Sequence, residues 1–187
     1  MIIKKEDEMK SLLTYKQLYL IMSFALITAT LSGQSNKTGD AYVPEVGQQG
    51  KDVVWVPTPQ ELVDTMLAIA KVTPADFLID LGSGDGRTVI SAAKKGARAM
   101  GIEYNPDMVK LSRRNAEKEG VAGKAEFIEA DLYEADLSKA TVITMFLLPE
   151  INLKLRPRIL ELKPGTRIVS NTFTMGEWEA DREVTTD

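Results

Sequence analysis

Residues 77–87 read Phe-Leu-Ile-Asp-Leu-Gly-Ser-Gly-Asp-Gly-Arg, and this stretch decides the fold. An apolar run precedes glycines at 82, 84 and 86, and Thr88-Val89-Ile90 then begins an apolar pattern with helical spacing. The order predicts a strand, a tight loop and a helix. Glycine permits positive φ angles and close approach of the backbone to a ligand, while the first turn of a helix has unpaired N–H groups. We therefore predict a loop that holds a nucleotide-like molecule.

The spacing of this glycine loop is G-x-G-x-G, which differs from the G-x-G-x-x-G of dinucleotide-binding folds and from the lysine-containing phosphate-binding loop. The loop has two carboxylates, Asp80 and Asp85, and the first lysine after it is Lys94. Carboxylates match a ligand with an ammonium and a sulfonium better than they match a pyrophosphate. S-adenosylmethionine is therefore favoured as the cofactor, and a nicotinamide cofactor ranks last.

The composition restricts the chemistry. A chain of 187 residues with 44% hydrophobic and 27% charged residues is typical of one soluble α/β domain. Its net charge of −4, with lysine and arginine spread along the chain, does not favour nucleic acid as a partner. Cysteine and histidine are absent, so we predict no metal site of those ligands and no imidazole base. Methyl transfer from a sulfonium needs neither, and no catalytic residue is assigned.

The N-terminal region differs in character from the rest of the chain. Residues 18–31 are apolar except for one serine and two threonines, which is short for a membrane span and typical of a signal-peptide core. We expect residues 1–33 to be a signal peptide or short membrane anchor, so that the protein is exported or attached to a membrane only through this segment. A cytoplasmic protein is the alternative. Residues 34–52 are expected to be a flexible spacer, and residues 53–187 the folded domain.

The domain begins with Val-Val-Trp-Val-Pro-Thr-Pro, which predicts a helix that follows. Thr58 is suited to cap it, Pro59 to occupy its first position and Glu61 to complete a capping box. The helix is expected to run to about residue 72, with a buried stripe formed by Leu62, Met66, Ile69 and Ala70.

Strands and helices are then expected to alternate. The predicted strands are residues 77–81, 98–102, 125–130, 141–147 and 167–171, and the predicted helices between them are residues 87–95, 106–119 and 151–162. Pro157 should kink or split the last helix. This alternation with short connections predicts a doubly wound, mostly parallel sheet with ligands at the carboxyl ends of its strands.

Two acidic residues follow strands at this edge of the predicted sheet. Glu103 ends the second strand, where a carboxylate accepts hydrogen bonds from both hydroxyls of a ribose. Asp131 follows the third strand, where an adenine amino group would lie if the ribose is on Glu103. The alternative for each is an exposed acid at a strand end.

Several motifs together resemble class I S-adenosylmethionine-dependent methyltransferases, which have a Rossmann-like fold. They are Asp80 to Arg87, Glu103-Tyr104-Asn105-Pro106, Asp131-Leu132-Tyr133, Phe146-Leu147-Leu148-Pro149 and Ser170-Asn171-Thr172-Phe173. More narrowly, the chain resembles the branch with the lysine methyltransferases of the ATP synthase c-ring protein and of the adenine nucleotide translocase, together with their prokaryotic relatives. The resemblance extends from Val54 to about Asp181.

The resemblance implies a role for each matching residue. The implied cofactor contacts are Thr58, Asp80, Gly82, Ser83, Gly84, Glu103, Tyr104, Asp131 and Leu132. Among them, Asp80 and the glycines face the methionine part, Thr58 faces its amino-acid end, and Tyr104 and Leu132 join Asp131 at the adenine. The implied acceptor contacts are Trp55, Phe146, Leu147, Leu148, Pro149 and Phe173.

The resemblance also implies an activity: transfer of a methyl group from S-adenosylmethionine to a protein lysine, with S-adenosylhomocysteine as product. Methylation of a small molecule and non-catalytic binding of S-adenosylmethionine are the alternatives. Two departures stand out. An export signal conflicts with a cofactor made in the cytoplasm, and only a few residues follow Trp178, so we expect a sheet that lacks its last strands.

Overall fold

Five parallel strands form the sheet in the computed structural model, which describes residues 42–185. In chain order the elements are α1 (Gln60–Ile69), β1 (Phe77–Leu81), α2 (Arg87–Lys94), β2 (Arg98–Glu103), α3 (Pro106–Lys118), β3 (Ala125–Glu129), β4 (Val142–Met145), α4 (Pro149–Leu160) and β5 (Arg167–Ser170). The strand order is β3-β2-β1-β4-β5, so the chain returns to the centre of the sheet between β3 and β4. The predicted doubly wound α/β fold is confirmed.

The middle of the sheet is the most buried part, because helices cover both of its faces. All four residues of β4 are buried, and four of the five in β1 are. Alternate residues of β1 enter opposite cores: Leu78 packs with residues of α1, α2 and α3, whereas Ile79 and Leu81 pack with residues of α4. Asp80 therefore lies at the carboxyl end of the best-supported strand.

The start of α1 differs from the prediction. Pro59 is its N-cap and no side chain caps the helix, so Thr58 does not form the predicted capping box. The Thr58 carbonyl instead accepts a hydrogen bond from Arg87 at 2.8 Å. The buried face of α1 consists of Val63, Met66, Leu67 and Ala70, while Leu62 and Ile69 are only half-buried. The local capping motif is overridden by a tertiary contact.

The folded domain also begins earlier than the predicted boundary at residue 53. The described part of the predicted spacer, residues 42–52, packs on the domain. Gly47 N donates to Trp55 O at 2.8 Å, Trp55 N donates to Gln48 O at 2.9 Å, and Lys51 forms an ion pair with Asp131. Residues 1–41, which include the predicted leader, lie outside the described residues.

Smaller differences concern the later elements. β4 ends at Met145, two residues before the predicted end, and α4 begins at Pro149, two residues earlier than predicted. Pro157 lies inside α4, which is assigned as one continuous helix rather than split. In residues 42–185 no helix is both long and apolar enough to span a membrane.

Candidate functional site

A cleft of about 1090 Å³, a volume that includes its open mouth, lies at the carboxyl ends of β1, β2 and β4. Such a volume accommodates a ligand of nucleoside size. Twelve of the predicted site residues line it: Trp55, Thr58, Asp80, Gly82, Ser83, Gly84, Glu103, Tyr104, Asp131, Leu132, Phe146 and Leu147. The other three, Leu148, Pro149 and Phe173, do not line the cleft and lie beyond its β4 end.

The glycine loop between β1 and α2 is attached to the neighbouring strand. The amides of Gly82 and Ser83 both donate to Ile102 O, at 2.9 and 3.0 Å. Gly84 has a φ angle of +54°, and a Cβ atom there would lie 2.6 Å from the indole nitrogen of Trp55. Gly84 therefore lets the indole of Trp55 lie directly on the loop, where it forms a wall of the cleft.

Glu103 is fixed by main-chain donors on both of its oxygens. Gly84 N donates to Oε2 and Asn105 N donates to Oε1, each at 2.9 Å. Asn105 is held in turn as the N-cap of α3, because its side chain accepts from Asp107 N at 2.9 Å. Each carboxylate oxygen keeps a further lone pair, so Glu103 can accept from two neighbouring hydroxyls on a ligand in the cleft.

Asp80 is the buried carboxyl group of the site, with 6% of its surface exposed. Burial raises its pKa from the ordinary value of 3.8 to about 7, although the hydrogen bond from Thr144 opposes this change. The Thr144 hydroxyl donates to Asp80 Oδ1 at 2.6 Å, and the negative charges of Glu103 and Asp85 raise the pKa further. A cation in the cleft would stabilise the ionised form of Asp80.

Asp85 does not have the role that its charge indicates in the sequence. Its carboxylate is paired with Arg87, whose guanidinium nitrogens lie 2.6 to 3.2 Å from the two oxygens. Arg87 also donates to the Thr58 carbonyl, so it ties the glycine loop to the segment that precedes α1. The expectation that Asp85 adds a free carboxylate for a cationic ligand is therefore wrong.

The β3 end of the cleft contains a side-chain cluster that sequence reasoning missed in part. Lys51 Nζ lies 2.7 Å from Asp131 Oδ2 and 4.5 Å from the centre of the Tyr104 ring. Tyr133 N donates to the other oxygen, Asp131 Oδ1, at 2.9 Å. The hydrogen bond from Lys51 holds the pKa of Asp131 below its ordinary value. No local pattern marks Lys51, because its partner lies 80 residues away in the chain.

Arg158 of α4 supports the turn that contains Leu132. Its guanidinium donates to the carbonyl of Leu132 at 3.2 Å and to that of Ala135 at 2.6 Å, and it also contacts the Tyr133 carbonyl. Three carbonyls on one side chain fix the path of the chain after β3. An arginine at a helical position, without a recognised motif, gave no signal of this role.

The β4 end of the cleft is aromatic. The rings of Phe146 and Phe173 stack with centroids 6.1 Å apart. Asn152 of α4 is fully buried, and its amide donates to the carbonyls of Phe173 and Thr174 at 3.3 and 3.2 Å. Thr172 adopts a φ of 64°, which is unfavourable for a β-branched residue. The segment after β5 is thus held in a strained turn that keeps Phe173 against Phe146.

The residues of the cleft fit a nucleoside with a cationic side chain. A carboxylate with two free acceptor positions stands beside the glycine loop, a buried carboxyl group lies at the end of β1, and aromatic walls flank both. A doubly wound parallel sheet with this cleft at its switch point defines a class I S-adenosylmethionine-dependent methyltransferase.

Comparison with known proteins identifies the particular family. Residues 80–182, more than half of the chain, match the model of the ANTKMT methyltransferase domain, and the chain belongs to this family. The predicted activity as a methyltransferase and the predicted cofactor, S-adenosylmethionine, are confirmed.

Two similar proteins illustrate the range of the relatives. A protein-lysine N-methyltransferase of Saccharolobus islandicus is 45% identical over 141 residues, which are 74% of this chain and 83% of that protein. The human lysine N-methyltransferase named for the ATP synthase c-ring protein is 41% identical over 105 residues, 56% of this chain and 45% of that protein. The chain thus spans about half the length of the human relative.

A solved structure is also similar. A protein of Salinibacter ruber, described as an RNA methyltransferase in complex with S-adenosyl-L-homocysteine, is 55% identical and has a TM-score of 0.69. The match covers 70% of this chain and 87% of that one.

Proposed function

We propose that this enzyme transfers a methyl group from S-adenosylmethionine to the side-chain amine of a lysine in a protein. The observation that carries the proposal is the 45% identity to a protein-lysine N-methyltransferase, across 74% of this chain and 83% of that protein. The human relative, named for lysine methylation of the ATP synthase c-ring protein, supports the same acceptor class.

On the cofactor side, we assign the ribose hydroxyls to Glu103, whose oxygens are already oriented by Gly84 and Asn105. Asp80, buried at the end of β1, stabilises the positive charge of the methionine part. The face of Tyr104 and the carboxylate of Asp131 receive the adenine ring and its amino group. These roles follow from donor and acceptor chemistry, since each group lines one cleft.

On the acceptor side, S-adenosylmethionine supplies a methyl group on a positively charged sulfur. A lysine attacks only as the neutral amine, and its ordinary pKa is near 10.4. Apolar walls disfavour an ammonium by desolvation and so lower that pKa. Phe146 and Leu147 form this wall of the cleft, and Phe173 extends it outward. The chain thereby aims and desolvates the amine without an assigned general base.

RNA is the second candidate acceptor, because the solved structure from Salinibacter ruber is described as an RNA methyltransferase. The charge of the cleft weighs against it. Five acidic residues line the cleft, Asp52, Asp80, Asp85, Glu103 and Asp131, against two basic ones, Lys51 and Arg87. A polyanion is repelled by such a surface, whereas a lysine is attracted. Methylation of a small molecule is the third candidate.

The deciding experiment is transfer of an isotope-labelled methyl group from S-adenosylmethionine to three acceptor pools: protein, RNA and small metabolites from the same cells. Hydrolysis of labelled protein should yield methylated lysine, identified by mass spectrometry. The Glu103→Ala variant, assayed in parallel, should lose the label. Label in RNA or in the metabolite pool, with none in protein, would falsify the lysine assignment while leaving the methyltransferase assignment intact.

We further propose that residues 1–33 direct the chain to a membrane or out of the cytoplasm, on the basis of the apolar segment 18–31. Cell fractionation with N-terminal sequencing of the native protein tests this. An intact Met1 on a cytoplasmic protein contradicts the proposal.

A further inference from the structure

The segment from Gly47 to Trp55, here called the strap, forms a small closed loop over one side of the cleft. Its main-chain hydrogen bonds join its own residues: Gly47 N to Trp55 O, Trp55 N to Gln48 O, and Gly50 N to Val53 O, at 2.8 to 2.9 Å. Gln49 and Val54 form an isolated antiparallel bridge within it. The strap is therefore a local unit with Lys51 near its tip.

Side chains attach the strap to the domain at two points. At its base, the indole of Trp55 lies against Gly84 of the glycine loop. At its tip, Lys51 Nζ is paired with Asp131 at 2.7 Å and lies 4.5 Å from the centre of the Tyr104 ring. The side chains of Lys51 and Asp131 retain 35% and 26% exposure, so this second attachment is open to water and to salt.

The partners of Lys51 are the two residues assigned above to adenine. An ammonium and an adenine amino group are both hydrogen-bond donors, so both seek the oxygens of Asp131. One of these oxygens already accepts from Tyr133 N and the other from Lys51. The ammonium and the adenine ring also seek the same face of Tyr104. Lys51 and adenine therefore make the same kinds of contact with the same groups.

We propose that Lys51 competes with adenine for Asp131 and Tyr104, so that the cofactor must displace the tip of the strap in order to bind. The proposal rests on the adenine placement in the proposed function and not on the identity of the acceptor. When a contact must open before a ligand binds, the apparent affinity falls by the fraction of molecules that are open. Lys51 would thereby weaken cofactor binding and make it dependent on salt.

The test is calorimetric titration of S-adenosylhomocysteine into the full chain and into Lys51→Met. Methionine keeps an apolar stem but removes the ammonium, so we expect binding that is tighter by about 3- to 10-fold, the range for an exposed ion pair combined with one cation–π contact. Salt should strengthen binding to the wild type, because it screens the competing pair, and should have little effect on Lys51→Met.

Two further variants make the result specific. Lys94→Met removes another exposed ion pair of the same length, Lys94 to Glu119 at 2.7 Å, and should leave affinity unchanged. Lys51→Arg keeps the charge and should keep both the weaker binding and its salt dependence. Hydrogen exchange at the Gly50 amide should become faster when S-adenosylhomocysteine is bound to the wild type.

The outcomes separate this inference from the assignments on which it rests. Equal or weaker binding by Lys51→Met, with slower exchange at Gly50, overturns it and would make Lys51 a wall of the bound site. Absence of binding to every variant overturns the cofactor site as well. Failure of the lysine-acceptor assignment leaves this titration unchanged, since no acceptor is present.

Discussion

The two ends of the cleft hold their side chains in different ways. At the β1–β2 end, Glu103 is oriented by main-chain N–H groups at 2.9 Å, and Asp80 by the hydroxyl of Thr144 at 2.6 Å. At the β4–β5 end, Phe146 and Phe173 touch through stacked rings, and Phe173 lies on a turn outside the sheet. Directional hydrogen bonds define the first end, and non-directional apolar contacts define the second.

This difference indicates what each end recognises. A carboxylate fixed by the main chain suits a ligand of one shape, such as the cofactor that all members of the class share. Stacked aromatic rings on a turn tolerate exchange of the residues around them, as needed when acceptors vary. Changes at the first end should therefore affect the cofactor, and changes at the second should affect the acceptor alone.

The largest effect is expected for Gly84→Val. Its Cβ atom would lie 2.6 Å from the Trp55 indole nitrogen and would stand at a φ of +54°, so the wall of the cleft must move. We expect S-adenosylhomocysteine affinity to fall by more than about 100-fold, since strain and displacement of Trp55 add. Calorimetry on protein whose folding is verified by circular dichroism measures it.

Gly120→Val is the matched control, because Gly120 also has a positive φ, +70°, but nothing lies within 4 Å of its Cβ position. It should lose stability without losing affinity. Equal affinity in the two variants would refute a fixed β1–β2 end.

Glu103→Ala should have the next largest effect. Loss of hydrogen bonds to a charged acceptor costs about 1.5–3 kcal/mol, or roughly 10- to 150-fold in affinity for S-adenosylhomocysteine. Glu129, its register neighbour on β3, is exposed and supplies the control Glu129→Ala, which should bind normally. A Glu103→Ala protein with unchanged affinity would leave Glu103 an exposed acid at a strand end.

The elements that sequence reasoning located correctly depend on local signals. Asn105 and Pro106 mark the start of α3, and the apolar run before the glycines marks β1, so Glu103 and Asp80 could be placed at one edge of the sheet. The ion pair of Lys51 with Asp131 could not be predicted, because it joins a segment without periodicity to a turn 80 residues away.

The errors came from local motifs that tertiary contacts override. Thr58 fits a capping box, yet Arg87 takes its carbonyl and the helix begins without a side-chain cap. The pairing of Asp85 with Arg87 is different, because a carboxylate two residues before an arginine is visible in the sequence. Its significance depended on the loop conformation that brings the two groups together.

Asp80→Asn should have opposite effects on stability and on binding. The pKa of Asp80 is raised from 3.8 to about 7, so the folded state takes up a proton in this range and stability falls as pH rises through it. Removing the charge should stabilise the cofactor-free protein at pH 8 and flatten this dependence. Affinity for S-adenosylmethionine should fall by about 10-fold at the same pH, because a charge partner of the cation is lost.

Thermal unfolding and calorimetry between about pH 5.5 and 8 measure both quantities. In the wild type, affinity should increase between about pH 5.5 and 7 as Asp80 ionises, and the variant should lack that increase. A variant that binds as well as the wild type at pH 8 would place the cation away from β1.

The smallest effect is expected at the aromatic end, for Phe173→Ala. Phe173 touches the cleft only through its stack on Phe146, and its turn is held by Asn152 through the main-chain carbonyls, which the substitution retains. Loss of one aromatic pair costs about 0.5–1.5 kcal/mol, so we expect a rise of roughly 3- to 10-fold in KM for the methyl acceptor. The KM for S-adenosylmethionine should stay constant, because no cofactor contact is assigned to this end. Phe173→Leu, which keeps apolar area without the stack, should lie between the two proteins. If Phe173→Ala changed the KM of the cofactor as much as that of the acceptor, the division of the cleft into a cofactor end and an acceptor end would be wrong.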